Sequence, residues 1–264
     1  MGKALGLLLW IIAIAAVWMF AVQKWWFPEA ITEHGPIVDA QFNRTLIVVA
    51  IAFVLAQVGL GFVVFQFGSG KKGAATYSHG SNKLELTWTF VTAAVFVTLA
   101  ILGQKVWASL HFHDAPSNAL TIEVTAQQFA WNFRYAGADG VFGPTDPSLM
   151  NDSNGNPIGR DLNDPTGQDD IVASTITVPA NRPVKLILKS KDVIHSFFVP
   201  NLRFKQDLVP GMAINVHFTP TVPGHYELAC AELCGAGHYK MKSYMDVLSQ
   251  DDFEKWLKEN GAGK

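Results

Sequence analysis

Three membrane-spanning helices followed by an all-β domain is the architecture this chain predicts, and three observations predict it. Residues 4–22, 46–67 and 86–107 are largely apolar runs of about the length a membrane helix needs, roughly 20 residues. Beyond residue 107 the pattern changes to the period-two alternation of half-buried strands. The composition agrees: of 264 residues, 49% are hydrophobic and only 16% charged, which is low in charge for a soluble protein. The expected partition is a membrane anchor over 1–107 and an outward-facing β domain over 108–264.

The first run, 4–22, carries no charge and follows Lys3. A cleaved signal peptide has the same basic start, but this run is long for a signal core and no small-x-small cleavage site follows, so a retained helix is expected. Trp25, Trp26 and Phe27 then read as an interfacial aromatic belt. Residues 28–43 are polar and mildly acidic, with Glu29, Glu33 and Asp39, and are expected to form a loop. The second run, 46–67, leads into a loop over 68–83 carrying Lys71, Lys72 and Lys83. Within it Gly68-Ser69-Gly70-Lys71-Lys72-Gly73 fits G-x-G-x-x-G, but it follows a membrane helix and not a strand, so a nucleotide site is rejected. The third run, 86–107, ends at Trp107 in the interface. By the positive-inside rule Lys3 and the 68–83 loop face the cytoplasm, and the acidic loop and everything after Trp107 lie outside.

Strands are expected at 119–126, 128–135, 171–178, 184–189, 193–199, 213–219, 225–229 and 242–248. Turn signals separate them, among them Val178-Pro179-Ala180-Asn181, Val209-Pro210-Gly211 and Val222-Pro223-Gly224. Many short strands so spaced argue a sandwich or barrel. Residues 137–170, rich in Asn, Asp, Pro and Gly, read as a long surface insertion. A closing helix at 250–260 is expected, capped by Ser249, with Asp251 and Asp252 in its first turn and Phe253, Trp256 and Leu257 on its apolar stripe.

A net charge of -2 excludes a broad basic surface for nucleic acid, and two cysteines are too few for a disulfide scaffold. Both cysteines lie in Cys230-Ala231-Glu232-Leu233-Cys234-Gly235-Ala236-Gly237-His238-Tyr239-Lys240-Met241, with His195 upstream in Asp192-Val193-Ile194-His195-Ser196. Thiolate, imidazole and thioether are soft ligands, a mix that selects copper over magnesium, calcium or manganese. A mononuclear blue-copper site needs one cysteine; a second thiolate a short loop away can bridge a pair of copper ions. A Cys230–Cys234 disulfide and a zinc site of two cysteines and two histidines are the bland alternatives, and neither explains Met241, Glu232 or the His195 segment. The remaining histidines, His34, His79, His111, His113, His217 and His225, fall in no recognisable pattern.

The pattern Cys-x-Glu-x-Cys-x-x-x-His-x-x-Met with an upstream Asp-Val-Ile-His-Ser resembles the binuclear CuA site of subunit II of haem–copper cytochrome c oxidases. The resemblance implies a cupredoxin-like Greek-key domain. It also implies that Cys230 and Cys234 bridge two coppers, that His195 and His238 cap one each, and that Met241 and the backbone carbonyl of Glu232 are weak ligands. The Glu232 carboxylate would share a Mg ion with subunit I, although a carboxylate there equally serves to tighten the loop by hydrogen bonds. Gln128-Phe129-Ala130-Trp131 resembles the aromatic stretch where electrons arrive from a c-type cytochrome, with Phe129 and Ala130 replacing the family's usual tryptophan and aromatic residue. Glu85, in Leu84-Glu85-Leu86-Thr87-Trp88, resembles the glutamate at the mouth of a proton-uptake route, and Asp207, in Asp-x-x-Pro-Gly, a contact with subunit I.

The function implied is that of subunit II of a proton-pumping oxidase in a bacterial inner (plasma) membrane. Its CuA domain would lie on the periplasmic side, and the chain would have membrane lipid, subunit I and other oxidase subunits as partners. The cytochrome donor, soluble or within a supercomplex, is separate, because no Cys-x-x-Cys-His is present to attach haem covalently. The oxygen-reducing site would be on subunit I, so no catalytic residue is expected here. The alternative is a membrane-anchored copper- or zinc-binding, chaperone-like module without oxidase activity; such a module would not need the Glu85 segment or the full ligand set.

Overall fold

The computed structural model of the chain describes residues 2–22, 27–68 and 77–261. Trp25 and Trp26 of the expected aromatic belt, and Lys71 and Lys72 of the basic loop, lie outside the described residues. The chain divides into two compact units, a helical one (Met1–Pro28 and Ile37–Ser109) and a β one (Glu29–Pro36 and Leu110–Lys264).

Among the described residues, three helices are long and apolar enough to cross a membrane: α1 (Gly2–Val22), α2 (Gly35–Phe67) and α3 (Asn82–His111). Both α2 and α3 outrun their expected bounds. At about 1.5 Å per residue, the 33 residues of α2 extend roughly 50 Å, well beyond a hydrocarbon core of about 30 Å. An apolar run marks the part that lipid surrounds and misses the polar first turns, here Asp39, Gln41, Asn43 and Arg44. Pro36 at the start of α2 suits a first helical turn, where its missing N–H costs nothing. Helices α1 and α2 meet through small residues: a Cβ on Gly61 would run into the Trp10 ring, and Trp10 stacks on Phe65 at 5.8 Å.

The β unit is a cupredoxin-like sandwich of two five-stranded sheets. The first, in the order β3-β2-β1-β5-β8, is built from β1 (Leu120–Gln127), β2 (Ala130–Tyr135), β3 (Ile171–Ala173), β5 (Val184–Ser190) and β8 (Ile214–Phe218). The second, β4-β10-β9-β6-β7, is built from β4 (Ile176–Pro179), β6 (His195–Val199), β7 (Phe204–Leu208), β9 (Gly224–Cys230) and β10 (Lys242–Leu248). Alternate residues of β1 and β5, namely Ile122, Val124, Ala126, Val184, Leu186 and Leu188, are fully buried, as period two demands. They face Phe197, Val199, Leu228, Met245 and Val247 of the second sheet, all in one core.

Several sequence expectations are corrected. The single strand expected at 171–178 breaks at Ser174-Thr175 and switches sheets, as β3 and then β4. Gln128 and Phe129 form the β1–β2 turn instead of opening a strand. Segment 204–208 is a strand, β7, whose Lys205, Gln206 and Asp207 hide the alternation because it lies at a sheet edge. The polar stretch 28–43 is not a free loop. Its first part straps onto the β unit: Ile31 is fully buried, donates its N–H to Asn201 O at 3.0 Å and accepts from Thr221 N at 2.7 Å.

The insertion 137–170 contains only short turns, including a four-residue helix α4 (Pro165–Gln168). Not all its acids are solvated. Asp170 is buried, its carboxylate held by Arg134, which also reaches Glu123 at 3.0 Å. Burial pushes the Asp170 carboxyl up in spite of Arg134. Helix α5 (Gln250–Gly261) starts on Ser249, whose Oγ accepts from Asp252 N at 3.2 Å, and buries Phe253 in the core.

Ile31→Ala removes a side chain with no exposure and is expected to destabilise the β unit by about 2–5 kcal/mol. Thermal unfolding of the full chain in detergent, followed by near-UV circular dichroism, checks this. The exposed Met212→Ala should leave the transition unchanged, and equal behaviour of the two variants would contradict the strap.

Candidate metal centre

The site begins with strand pairing. β6 and β9 run antiparallel with Phe197 opposite Cys230. His195, the first residue of β6, and Cys230, the last of β9, therefore meet at one end of the second sheet. Ala231 N donates to Ser196 O at 3.1 Å and Cys230 N to Met241 O at 3.1 Å, so the 231–241 loop is fastened where it leaves and where it returns. Inside the loop His238 N donates to Gly235 O, Lys240 N to Gly237 O and Met241 N to His238 O, at 3.1, 2.9 and 3.1 Å.

These constraints bring all six sequence-predicted ligand positions together. Cys230 Sγ is 3.9 Å from Cys234 Sγ, and both cysteines are free. Each thiol has its own imidazole: His195 Nδ1 is 3.8 Å from Cys230 Sγ, and His238 Nδ1 is 3.5 Å from Cys234 Sγ. Each also has one further weak donor. Met241 Sδ lies 3.7 Å from Cys234 Sγ, and the Glu232 carbonyl lies 3.2 Å from Cys230 Sγ. His195, Cys230 and Cys234 place ligand atoms within 4.8 Å of one another, and all three are buried. Met241 is buried too, whereas His238 is half-buried and the Glu232 side chain exposed. The donor set is soft and dry, as copper or zinc requires and magnesium or calcium does not.

Two residues of this centre went unassigned in the sequence. Asp192 accepts from His195 Nε2 at 2.8 Å, from Gln128 N at 2.7 Å and from Val193 N at 2.7 Å. With a carboxylate on Nε2 that nitrogen carries the proton, which leaves Nδ1 as the lone-pair donor facing Cys230. Burial alone would raise the Asp192 carboxyl; the hydrogen bonds from Gln128, His195 and Val193 outweigh it and hold it low. Gln128 also donates its side-chain amide to Cys234 O. The available signal was the position of Asp192 three residues before His195, on a turn that can fold back on the ring. Burial, then the neighbouring Cys230, pushes the Cys234 thiol up to about 11.

The other sequence-predicted residues divide. Phe129 is 40% exposed and its ring lies over the loop backbone, touching the places where Gly235 and Gly237 lack a Cβ. Trp131 is buried, set edge-on to His195 at 6.4 Å and to Phe197 at 6.1 Å. Glu85 sits in the first turn of α3, exposed and outside the cluster. Asp207 is a β7 residue and not part of a turn, and its carboxylate pairs with Lys205 of its own strand.

Asp192→Ala is expected to weaken metal retention by about 10- to 100-fold, with Asp192→Asn intermediate because it still accepts from the ring; chelator competition measures both. Because the Cys234 thiol holds its proton at neutral pH, metal uptake should release protons and the apparent affinity should climb with pH. An indicator dye in weak buffer reads that release directly, and its absence would mean the thiols are already ionised.

Residues 120–248 match the family model described as cytochrome C oxidase subunit II, periplasmic domain. The alternative cytochrome c oxidase subunit 2 of Bradyrhizobium diazoefficiens is 34% identical over 97% of this chain and 91% of its own length. A probable cytochrome c oxidase subunit 2 of Rickettsia conorii is 32% identical over 84% of this chain and 68% of its own. Among solved structures, the periplasmic domain of subunit II of cytochrome oxidase from Bradyrhizobium japonicum aligns with 56% of this chain and 96% of its own, at 24% identity and a TM-score of 0.40. With a relative this similar over nearly its whole length, and three helices of membrane-spanning length ahead of the matched domain, the chain belongs to the cytochrome c oxidase subunit II family.

Proposed function

We propose that this chain is the electron-accepting subunit II of a proton-pumping cytochrome c oxidase. It takes electrons from a c-type cytochrome and hands them to haem in subunit I, where oxygen is reduced to water. The observation that carries the reading is the paired donor set: two thiols 3.9 Å apart, each with one imidazole and one weak donor. A single zinc or a disulfide uses at most part of that set. When bound, a binuclear copper (CuA) supplies reversible one-electron chemistry.

The chain's own residues perform the rest. Cys230, Cys234, His195 and His238 would hold the ions, with Met241 and the Glu232 carbonyl as the weaker donors beside the thiols. Asp192 holds the His195 tautomer, and the fastened loop keeps the donors placed before any ion arrives, which limits rearrangement between redox states. Burial excludes water from the thiols. Phe129 offers an exposed aromatic surface to the cytochrome, soluble or within a supercomplex, and Trp131, two residues on, packs edge-on to His195 at 6.4 Å. Glu85 marks a proton-uptake entrance on the cytoplasmic side. Asp207 contacts subunit I, where a cation would join its pair with Lys205. The exposed Glu232 carboxylate shares a Mg ion with subunit I. The excess of lysine at Lys3 and in the 68–83 loop supports a periplasmic β unit on a bacterial inner membrane.

The full chain in detergent, loaded with copper and counted for metal, should give an electron paramagnetic resonance spectrum of one unpaired electron shared by two equivalent copper nuclei. A single-nucleus copper signal, or tightly held colourless zinc, would overturn the reading and leave a copper- or zinc-binding chaperone-like module.

A further inference from the structure

Away from the thiols, four of the chain's eight histidines line one cleft of about 70 Å³ in the β unit: His34, His111, His113 and His217. They come from three separate stretches of chain, namely the Glu29–Pro36 strap, the segment from the end of α3, and β8. We propose that these histidines form a second metal site, for a borderline divalent ion of the Zn2+ class, in the cleft between the strap and strands β7 and β8.

The chemistry of the cleft suits such an ion. Neutral imidazole is a ligand for zinc, and a ligating histidine characteristically has its other ring nitrogen fixed by a carbonyl or carboxylate. His34 meets that condition: its Nε2 lies 2.9 Å from Leu202 O, which accepts the ring proton and leaves Nδ1 with its lone pair. Burial pushes His34 down from the ordinary histidine value, and burial followed by the charge of His113 does the same to His217. Both are therefore neutral at physiological pH, the state that ligates. The charged groups around the cleft are Glu33 and Asp114, whose carboxylates act on His34 and His217 and would offset a dication. Lys205 is neutralised by Asp207. A water occupies about 30 Å³ of liquid, so the volume admits one ion with a water beside it.

The site is open. Only His195, Cys230 and Cys234 among the described residues already hold ligand atoms within 4.8 Å of one another. His111 and His113 lie on exposed chain, while His34 and His217 are half-buried. An ion seated on the two inner rings would draw in the two outer ones by rotamer change, which gives moderate affinity and ready exchange.

The test is a calorimetric titration of Zn2+ alone into the full chain in detergent, with the cysteine centre already loaded with copper. It is repeated on the Cys230→Ser/Cys234→Ser variant, so that the outcome is independent of the proposed copper function. One Zn2+ per chain is expected in both. His217→Gln and, separately, the exposed His113→Gln should each weaken it by about tenfold or more, while the copper spectrum stays unchanged. His225→Gln, outside the cleft, should change nothing. Absence of Zn2+ binding, or binding that survives both His113→Gln and His217→Gln, would overturn the proposal; His113→Gln keeps the test valid if the strand variant fails to fold.

Discussion

The pairing of β6 with β9 is the constraint on which the metal centre depends. His195 and Cys230 are 35 positions apart, and nothing local in the chain joins them. Their meeting follows from the register that sets Phe197 opposite Cys230. A slip of one residue would turn every side chain of β9 to the opposite face of its sheet and carry the thiol away from the imidazole. The core opposes such a slip. Leu228 on β9 is fully buried against the core that includes Phe197 and Val199 of β6, and it would have to leave the interior. The hydrophobic effect that builds the sandwich thus also positions the donor atoms, three of whose residues belong to its core.

The second sheet does not hold the centre alone. Asp192 leaves β5 in the first sheet, receives the backbone N–H of Gln128 from the β1–β2 turn, and grips the His195 ring at the start of β6. Gln128 reaches on to the carbonyl of Cys234. Phe129, next in sequence, lays its ring where Gly235 and Gly237 present bare backbone. Gly235 has φ of +137°, a conformation glycine adopts without a Cβ penalty. The exposed aromatic and the metal loop are therefore one packed unit, and a side chain at Gly237 would displace the ring.

What was legible in the chain follows the range of the interactions. Lipid-length apolar runs, period-two strands and a ligand loop of twelve residues are local patterns, and the structure contains each of them. The missed features share a dependence on distant partners. Ile31 is one apolar residue in a polar stretch, and only its bonds to Asn201 and Thr221 reveal it as core. β7 is polar because an edge strand needs only one bonded neighbour. Ser174-Thr175 gives no Gly or Pro signal where the chain changes sheets. Asp170 reads as one more acid of a solvated insertion until Arg134 is found beside it. Asp192 was visible as a letter beside a ligand, but its role needs the ring's orientation.

The two histidine-bearing sites differ in how the fold treats their donors, and the difference decides what each could do. In the loop of Cys230 to Met241 the soft atoms are buried, fastened through the backbone and supported by Asp192, so a bound ion would change state with little movement of its ligands. Slow exchange and low rearrangement suit an electron relay. In the cleft beside β8 the donors are imidazoles, two of them on exposed chain, with carboxylates near and no thiolate. Such a set lacks the thiolates that hold a soft ion such as Cu(I). It suits an ion that comes and goes. The same residue type thus sits in two settings, because strand register fixes its neighbours in one place and exposed chain carries two of the four in the other.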